Sequence, residues 1–227
     1  MRILRKTTLF HKLYSKLYVS PYPEQIDKPD GKVVLVLSPH CDDAVFGCGG
    51  TLYKHFKAGD KVSILYLKVM NKVMEDEARA TAEILGISKQ IFCESDVNNA
   101  EKITDVLNKL MPEIIYTPHP MDNHPDHYQT SLILANVISK LKITPILLCY
   151  EIWTPIIPNV VIDISECIEY KKLAIDCFVS QNKTLDYTNG IIGLNQYRSL
   201  SLKQGGSFAE CFIRVNKKEL TSLLKVV

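Results

Sequence analysis

Apolar and polar positions along this chain switch repeatedly between two periods. Val33 to Leu37 is an unbroken apolar run, as expected of a strand buried on both faces. Val62 to Val69, Gln90 to Cys93, Glu113 to Thr117, Ile146 to Tyr150 and Val160 to Ile164 read as further strands. Between them the spacing turns helical. Gly47 to Lys57 fits a helix ended by Gly59. Glu75 to Leu85 turns Ala78, Ala82 and Leu85 inward and has Gly86 as its cap. Ala100 to Met111 carries Ile103, Val106, Leu107 and Leu110 on one stripe, and helices follow over His127 to Leu141 and Glu166 to Val179. Strand–helix alternation predicts an α/β fold of three layers, a mostly parallel twisted sheet with helices on both faces. Ligands of such sheets gather outside the carboxyl ends of the strands, so the segments just after strands are the ones to read for chemistry.

Residues 1–30 differ from the rest and form a basic N-terminal arm; residues 31–227 form the domain. Before Glu24 there is no acid, while Arg2, Arg5, Lys6, Lys12 and Lys16 are basic. Leu9, Leu13 and Leu17 repeat at helical spacing. A helix docked on the domain, a solvated arm and a peripheral membrane contact are the three readings of this arm. Lysines interrupt any apolar core of a secretory signal.

Composition narrows the field. A chain of 227 residues, 46% hydrophobic and 23% charged, has the make-up of a globular protein rather than a disordered one. The formal net charge of +2 supplies no basic field to make nucleic acid the default partner. The seven cysteines are odd in number and form no C-x-x-C pair, and most lie in apolar runs, which points to a reducing, cytoplasmic setting. No apolar stretch is long enough to span a bilayer.

Two segments after strands are chemically unusual. Ser38-Pro39-His40-Cys41-Asp42-Asp43 packs an imidazole and two adjacent carboxylates into one turn. Two neighbouring carboxylates repel, so a nearby cation is the natural way to keep both ionised. His40 and Asp43, three apart, can face one ion, which leaves Asp42 free to act on a water. Gly47-Cys48-Gly49-Gly50 would let backbone pass close to whatever is bound. The second segment, His119-Pro120-Met121-Asp122-Asn123-His124-Pro125-Asp126-His127, holds three of the six histidines. It offers a second metal imidazole, a spare histidine and a carboxylate to orient one of them. A purely structural network of histidine–carboxylate pairs is the bland alternative. Gly-x-Ser-x-Gly and phosphate-loop motifs are absent.

Pro39-His40-Cys41-Asp42-Asp43 resembles the Pro-His-Pro-Asp-Asp-Glu signature of the LmbE-like/PIG-L N-deacetylase family, and His124-Pro125-Asp126-His127 resembles its His-Pro-Asp-His signature. The glycine turn Gly47 to Thr51, the alanine-rich Ala78 to Gly86, Ser180-Gln181 and Ala209-Glu210-Cys211-Phe212 are similar to other landmarks of that family. The resemblance runs from about Lys32 to the C-terminal region and implies a Rossmann-like, LmbE-like fold. It also implies hydrolysis of N-acyl groups, mostly N-acetyl on glucosamine-type sugars, with Zn2+, or another divalent ion such as Fe2+. By position, His40, Asp43 and His127 would be the metal ligands and Asp42 the general base. His124 would assist the oxyanion and protonate the leaving amine, and Asp126 would be an orienting carboxylate.

The chain departs from the family at three places. Cys41 replaces the second proline of the first signature and Ala44 its glutamate. Met74 stands where sugar-specific members have an arginine, three residues before the glutamate that aligns with Glu77. The metal chemistry therefore looks intact while sugar recognition is altered. Cys41 is either a further ligand or a small buried residue, and Trp153 either lines the cleft or packs in the core.

The reading is a metal-dependent N-deacetylase of a small amino sugar or sugar conjugate. The alternatives are a deacylase of a non-sugar amide and a metal- or sugar-binding protein without turnover. A homo-oligomer is compatible with each.

Overall fold

The computed structural model describes residues 22–93 and 98–224. Eight strands form one sheet: β1 (Glu24–Ile26), β2 (Val33–Ser38), β3 (Lys61–Tyr66), β4 (Lys89–Phe92), β5 (Ile114–Pro118), β6 (Ile146–Tyr150), β7 (Val160–Asp163) and β8 (Ala209–Val215). The helices are α1 (Asp43–Lys57), α2 (Lys72–Leu85), α3 (Asn99–Leu110), α4 (Pro125–Lys140), α5 (Ile168–Asp176), α6 (Val179–Asn182), α7 (Tyr187–Arg198) and α8 (Lys217–Leu224). The strand order is β1-β7-β8-β6-β5-β2-β3-β4, and every pairing is parallel except those of β8 with β6 and β7.

Strand periodicity explains the layers. Val34 and Val36 point into a core shared with α1, α2, α5 and α7. Leu35 and Leu37, their alternates, point into a second core shared with α3, α4 and α8. A strand with cores on both faces needs apolar residues at every position, which is why β2 is a continuous run. Helix ends follow local chemistry: Asn71 Oδ1 accepts from Met74 N at 3.0 Å, and Gly86 closes α2 at φ 65°, a conformation suited to glycine.

The structure differs from the sequence expectation in four ways. α1 starts at Asp43, not Gly47, so the glycines lie inside the helix. A Cβ on Gly47 would sit 2.3 Å from Tyr150, and one on Gly50 2.8 Å from Ile164. These glycines let α1 lie close on its neighbours rather than admit a ligand. The predicted helix over Glu166 to Val179 is a 3-10 turn (Ser165–Cys167) followed by α5, and α6 follows separately. Finally, β1, β8, α7 and α8 have no counterpart in the expected element list. β1 lies within the arm drawn as residues 1–30, yet it pairs with β7 as a sheet edge. The basic and leucine positions of that arm, Arg2 to Leu17, lie outside the described residues.

All seven cysteines are free thiols. Among the described residues no helix is long and apolar enough to cross a membrane.

Candidate active site

β2 and β5 are neighbours, with Val34 opposite Ile114. The chain runs from β2 outward to β3 on one side and from β5 outward to β6 on the other. This reversal of direction opens a crevice at the carboxyl ends of β2 and β5, the usual ligand position in such sheets. Both histidine–aspartate segments emerge there.

The first segment is held by its own hydrogen bonds. Ser38 Oγ donates to His40 O (2.6 Å) and accepts from Ala44 N (3.0 Å). Asp43 Oδ2 accepts from His40 N at 2.8 Å and lies 3.0 Å from His40 Nδ1. Its other oxygen, Oδ1, lies 3.2 Å from His127 Nε2. One carboxylate therefore joins the two imidazoles. Asp42 is the N-cap residue of α1 but makes no capping hydrogen bond, and only 9% of it is exposed.

The second segment turns on Asp122, a residue given no role from the sequence. Its Oδ1 accepts from His124 N (3.0 Å) and lies 3.4 Å from His127 Nδ1, while Oδ2 accepts from Trp153 N (3.1 Å). The signal for it was its place two residues before His124, the spacing of a side-chain-to-backbone turn. His124 Nδ1 accepts from Asp126 N at 3.2 Å, capping α4. An accepting Nδ1 in a neutral ring places the proton on Nε2, so His124 presents a donor there. His40 Nε2 lies 2.9 Å from Asp126 Oδ2, and Lys68 Nζ lies 2.9 Å from the same oxygen. Asp126 thus holds His40, the partner left open by the sequence. His119 stands apart, its Nε2 donating to Thr154 O at 2.9 Å.

Electrostatics sort these groups. Burial, reinforced by Asp43, pushes the Asp42 carboxyl well above the usual carboxylate range. Asp43 is driven the other way: burial opposes its charge, but the His127 and His40 hydrogen bonds outweigh it. Burial likewise opposes the His127 cation, yet Asp122 and Asp43 raise it to about 9. His124 is lowered by burial and by the neighbouring imidazoles His40 and His127.

The donor set fits a divalent cation. His40, His124 and His127 bring ring nitrogens within 4.8 Å of one another, and His40, Asp42 and Asp43 do the same with a nitrogen and two carboxylates. Both ring nitrogens of His127 are buried, and each faces a carboxylate oxygen, Asp43 Oδ1 at 3.2 Å and Asp122 Oδ1 at 3.4 Å, in a contact short of ideal hydrogen-bond geometry. Nitrogen and oxygen donors with room for a water suit a catalytic zinc site. Cys41 is fully buried and does not line the cleft, so it is the small core residue.

The cleft holds about 410 Å3. Its far wall is Phe46, Met70, Met74, Ile152, Trp153 and Tyr187, with Asn71 and Gln181 as its uncharged polar members. Trp153 is 48% exposed and meets Tyr187 edge-on at 5.9 Å, so it lines the cleft. A larger open cleft of about 960 Å3, beside Tyr53, Lys54 and Tyr170, contains none of the His/Asp cluster.

Residues 35–138, which include both segments, match the family model described as PIG-L, GlcNAc-PI de-N-acetylase. Diacetylchitobiose deacetylase of Thermococcus kodakarensis is 28% identical over 160 residues, covering 57% of this chain and 58% of that protein. The matched part is therefore under two thirds of that relative's length. The likeness in fold extends well beyond the matched stretch. N,N'-diacetylchitobiose deacetylase from Pyrococcus horikoshii superposes with TM-score 0.71 at 20% identity, over 83% of this chain and 85% of that one. The 4-carboxy-2-hydroxymuconate hydratase GalB of Pseudomonas putida KT2440 superposes with TM-score 0.67 at 20% identity, over 81% and 96%. At such identity the likeness concerns the fold, which hosts more than one reaction.

Proposed function

We propose that this protein is a zinc-dependent N-deacylase that removes an N-acetyl group from an amino sugar or sugar conjugate. The observation that carries the reading is the convergence of His40, Asp42, Asp43, His124 and His127 at one crevice. A merely structural or binding site has no use for a buried Asp42 that makes no capping hydrogen bond beside the His/Asp cluster. A reducing, cytoplasmic setting belongs to the same reading, in keeping with seven free thiols.

His40, Asp43 and His127 would hold the ion, and Asp126 and Asp122 would orient His40 and His127 in turn. The chemistry such an ion would supply is a more acidic water and a polarised amide carbonyl. Asp42 takes the proton of the attacking water. The water oxygen bonds to the acyl carbon, and His124, donating from Nε2, stabilises the carbonyl oxygen as charge builds on it. The carbon–nitrogen bond then breaks as the nitrogen takes up the proton that Asp42 removed from the water, and the remaining proton of the new carboxylic acid passes to the amine. The products are acetate and the free, protonated amine.

The cleft wall bears on the substrate. Among the described residues its lining holds no Lys or Arg to grip a phosphate or sugar hydroxyls, and Met74 sits in it, buried. An apolar wall leaves hydroxyls desolvated and unpaired. The favoured substrate therefore carries an apolar or aromatic group beside the acetylated amine. The test is amine release, measured by fluorescamine on Zn2+-loaded protein. The panel is free N-acetylglucosamine, its aryl and alkyl glycosides, N-acetyl amino acids and a hydratable enol acid. Amine release from the glycosides is expected. Loss of the enol acid's ultraviolet absorbance with no amine released from any N-acetyl compound would replace this reading with a hydratase.

A further inference from the structure

α1 is not one continuous helix. Cys48 sits at φ −144°, ψ 17°, and the helix breaks there. In an unbroken helix Gly50 N–H would donate to Phe46 O. Here Gly50 N donates to Glu210 Oε1 (2.9 Å) and Thr51 N to Glu210 Oε2 (2.8 Å). Phe46 O accepts instead from Lys171 Nζ (2.8 Å), which also lies 2.7 Å from Glu210 Oε1. A buried ammonium–carboxylate pair thus stands in the gap of the hydrogen-bond ladder, joining Phe46 to Gly50 through two side chains. Both side chains are fully buried. Lys171 comes from α5 and Glu210 from β8. Gly49 makes room for the lysine stem: a Cβ there would sit 3.3 Å from Lys171 Cγ.

A buried pair of this kind adds little net stability, because desolvation offsets the attraction. Its geometric effect is specific. The segment before the break, Asp43 to Gly47, is a single turn whose far end is anchored at Phe46 O, and whose near end carries Asp43 directly after Asp42.

We propose that Lys171 and Glu210 are positioning residues that aim the first turn of α1, and with it Asp43 and Asp42, at the proposed metal site. Neither side chain lines the cleft or meets its His/Asp cluster; their link to it is the backbone of Phe46. The inference rests on the proposed deacylase reading.

The test uses full-length Lys171→Met/Glu210→Gln, which removes both charges together. Asp60→Asn serves as a control that perturbs a buried pair at the far end of α1, where Asp60 holds His55 at 2.9 Å. In the double variant kcat for amine release should fall about 10–100-fold with KM within about 3-fold. Affinity for Zn2+, measured by chelator competition, should fall over a similar range. The visible spectrum of the Co2+-loaded protein should shift. The control should unfold more easily yet keep wild-type kcat, Zn2+ affinity and Co2+ spectrum. A folded double variant with all three wild-type readouts overturns the inference. If the double variant does not fold, Glu210→Gln alone is held to the same criteria. A crystal structure of wild type with Gly50 N–H donating to Phe46 O would overturn the inference whatever the variants do. Wild-type protein that binds no Zn2+ and releases no amine would instead overturn the deacylase reading.

Discussion

His40 Nε2 and Asp126 Oδ2 lie 2.9 Å apart, bridging residues 86 positions distant in the chain. The contact leaves Nδ1 as the ring atom turned toward Asp43, 3.0 Å away. Metal-bound imidazoles commonly give their other N–H to a carboxylate, which fixes the tautomer and raises ligand basicity. Asp126→Asn keeps the size and loses the charge. Zn2+ affinity, read by chelator competition, should weaken about 10–100-fold. Unchanged affinity would remove Asp126 from the site's support.

A second prediction concerns stability alone. Asp60 is buried at the end of α1, holding His55 Nδ1 at 2.9 Å, Lys28 Nζ at 2.9 Å and Lys32 Nζ at 3.0 Å. Asp60→Asn leaves those donors poorly paired, and urea unfolding should show a loss of about 2–4 kcal/mol. A loss below about 0.5 kcal/mol would mean the cluster is not cooperative.

A third concerns pH. Burial lowers His119 to about 4, although Asp122 and the Thr154 carbonyl favour its cation. The unfolded chain binds this proton from about pH 6.5 downward and the folded chain does not, so the contribution is full above pH 6.5 and is lost as pH falls toward 4. At pH 5 the deficit from this one group is about 2 kcal/mol. His119→Gln should flatten the stability difference between pH 7 and pH 5 in metal-free protein by about that amount. An identical pH slope in wild type and variant would contradict a neutral His119.

A fourth concerns the apolar wall. Trp153 stands half exposed at the mouth of the cleft against Tyr187. Trp153→Ala should raise KM for an aryl N-acetylglucosaminide about 5–30-fold, as expected for losing about 1–2 kcal/mol of stacking and burial. The effect on free N-acetylglucosamine should be under about 3-fold. Equal loss on both substrates would mean that the wall does not meet the aglycone.

The strands of the parallel half were legible because each needs apolar residues on both faces, as Val33 to Leu37 shows. β8 was not. Glu210 breaks its apolar run, and it is tolerated only because Lys171, Gly50 and Thr51 meet it, contacts 39, 160 and 159 positions away in sequence. The start of α1 was misread for a related reason. Gly47, Gly49 and Gly50 look like a loop in isolation, and only the closeness of Tyr150, Lys171 and Ile164 makes them helical. At the candidate site, His40, Asp42, Asp43, His124, Asp126 and His127 declared themselves by residue type after strands. Asp122 did not, because its work is done through backbone N–H groups of its own turn and of the Trp153 loop.

The central claim is that Asp42 acts on water beside an ion held by other residues. Asp42→Asn keeps the size and removes the base. The direct measurement is kcat for amine release together with bound zinc per chain, in the same preparations of wild type and Asp42→Asn. The account predicts about one zinc per chain in both, and a kcat lower by about 10²–10⁴-fold in the variant. A variant with near wild-type kcat would contradict it.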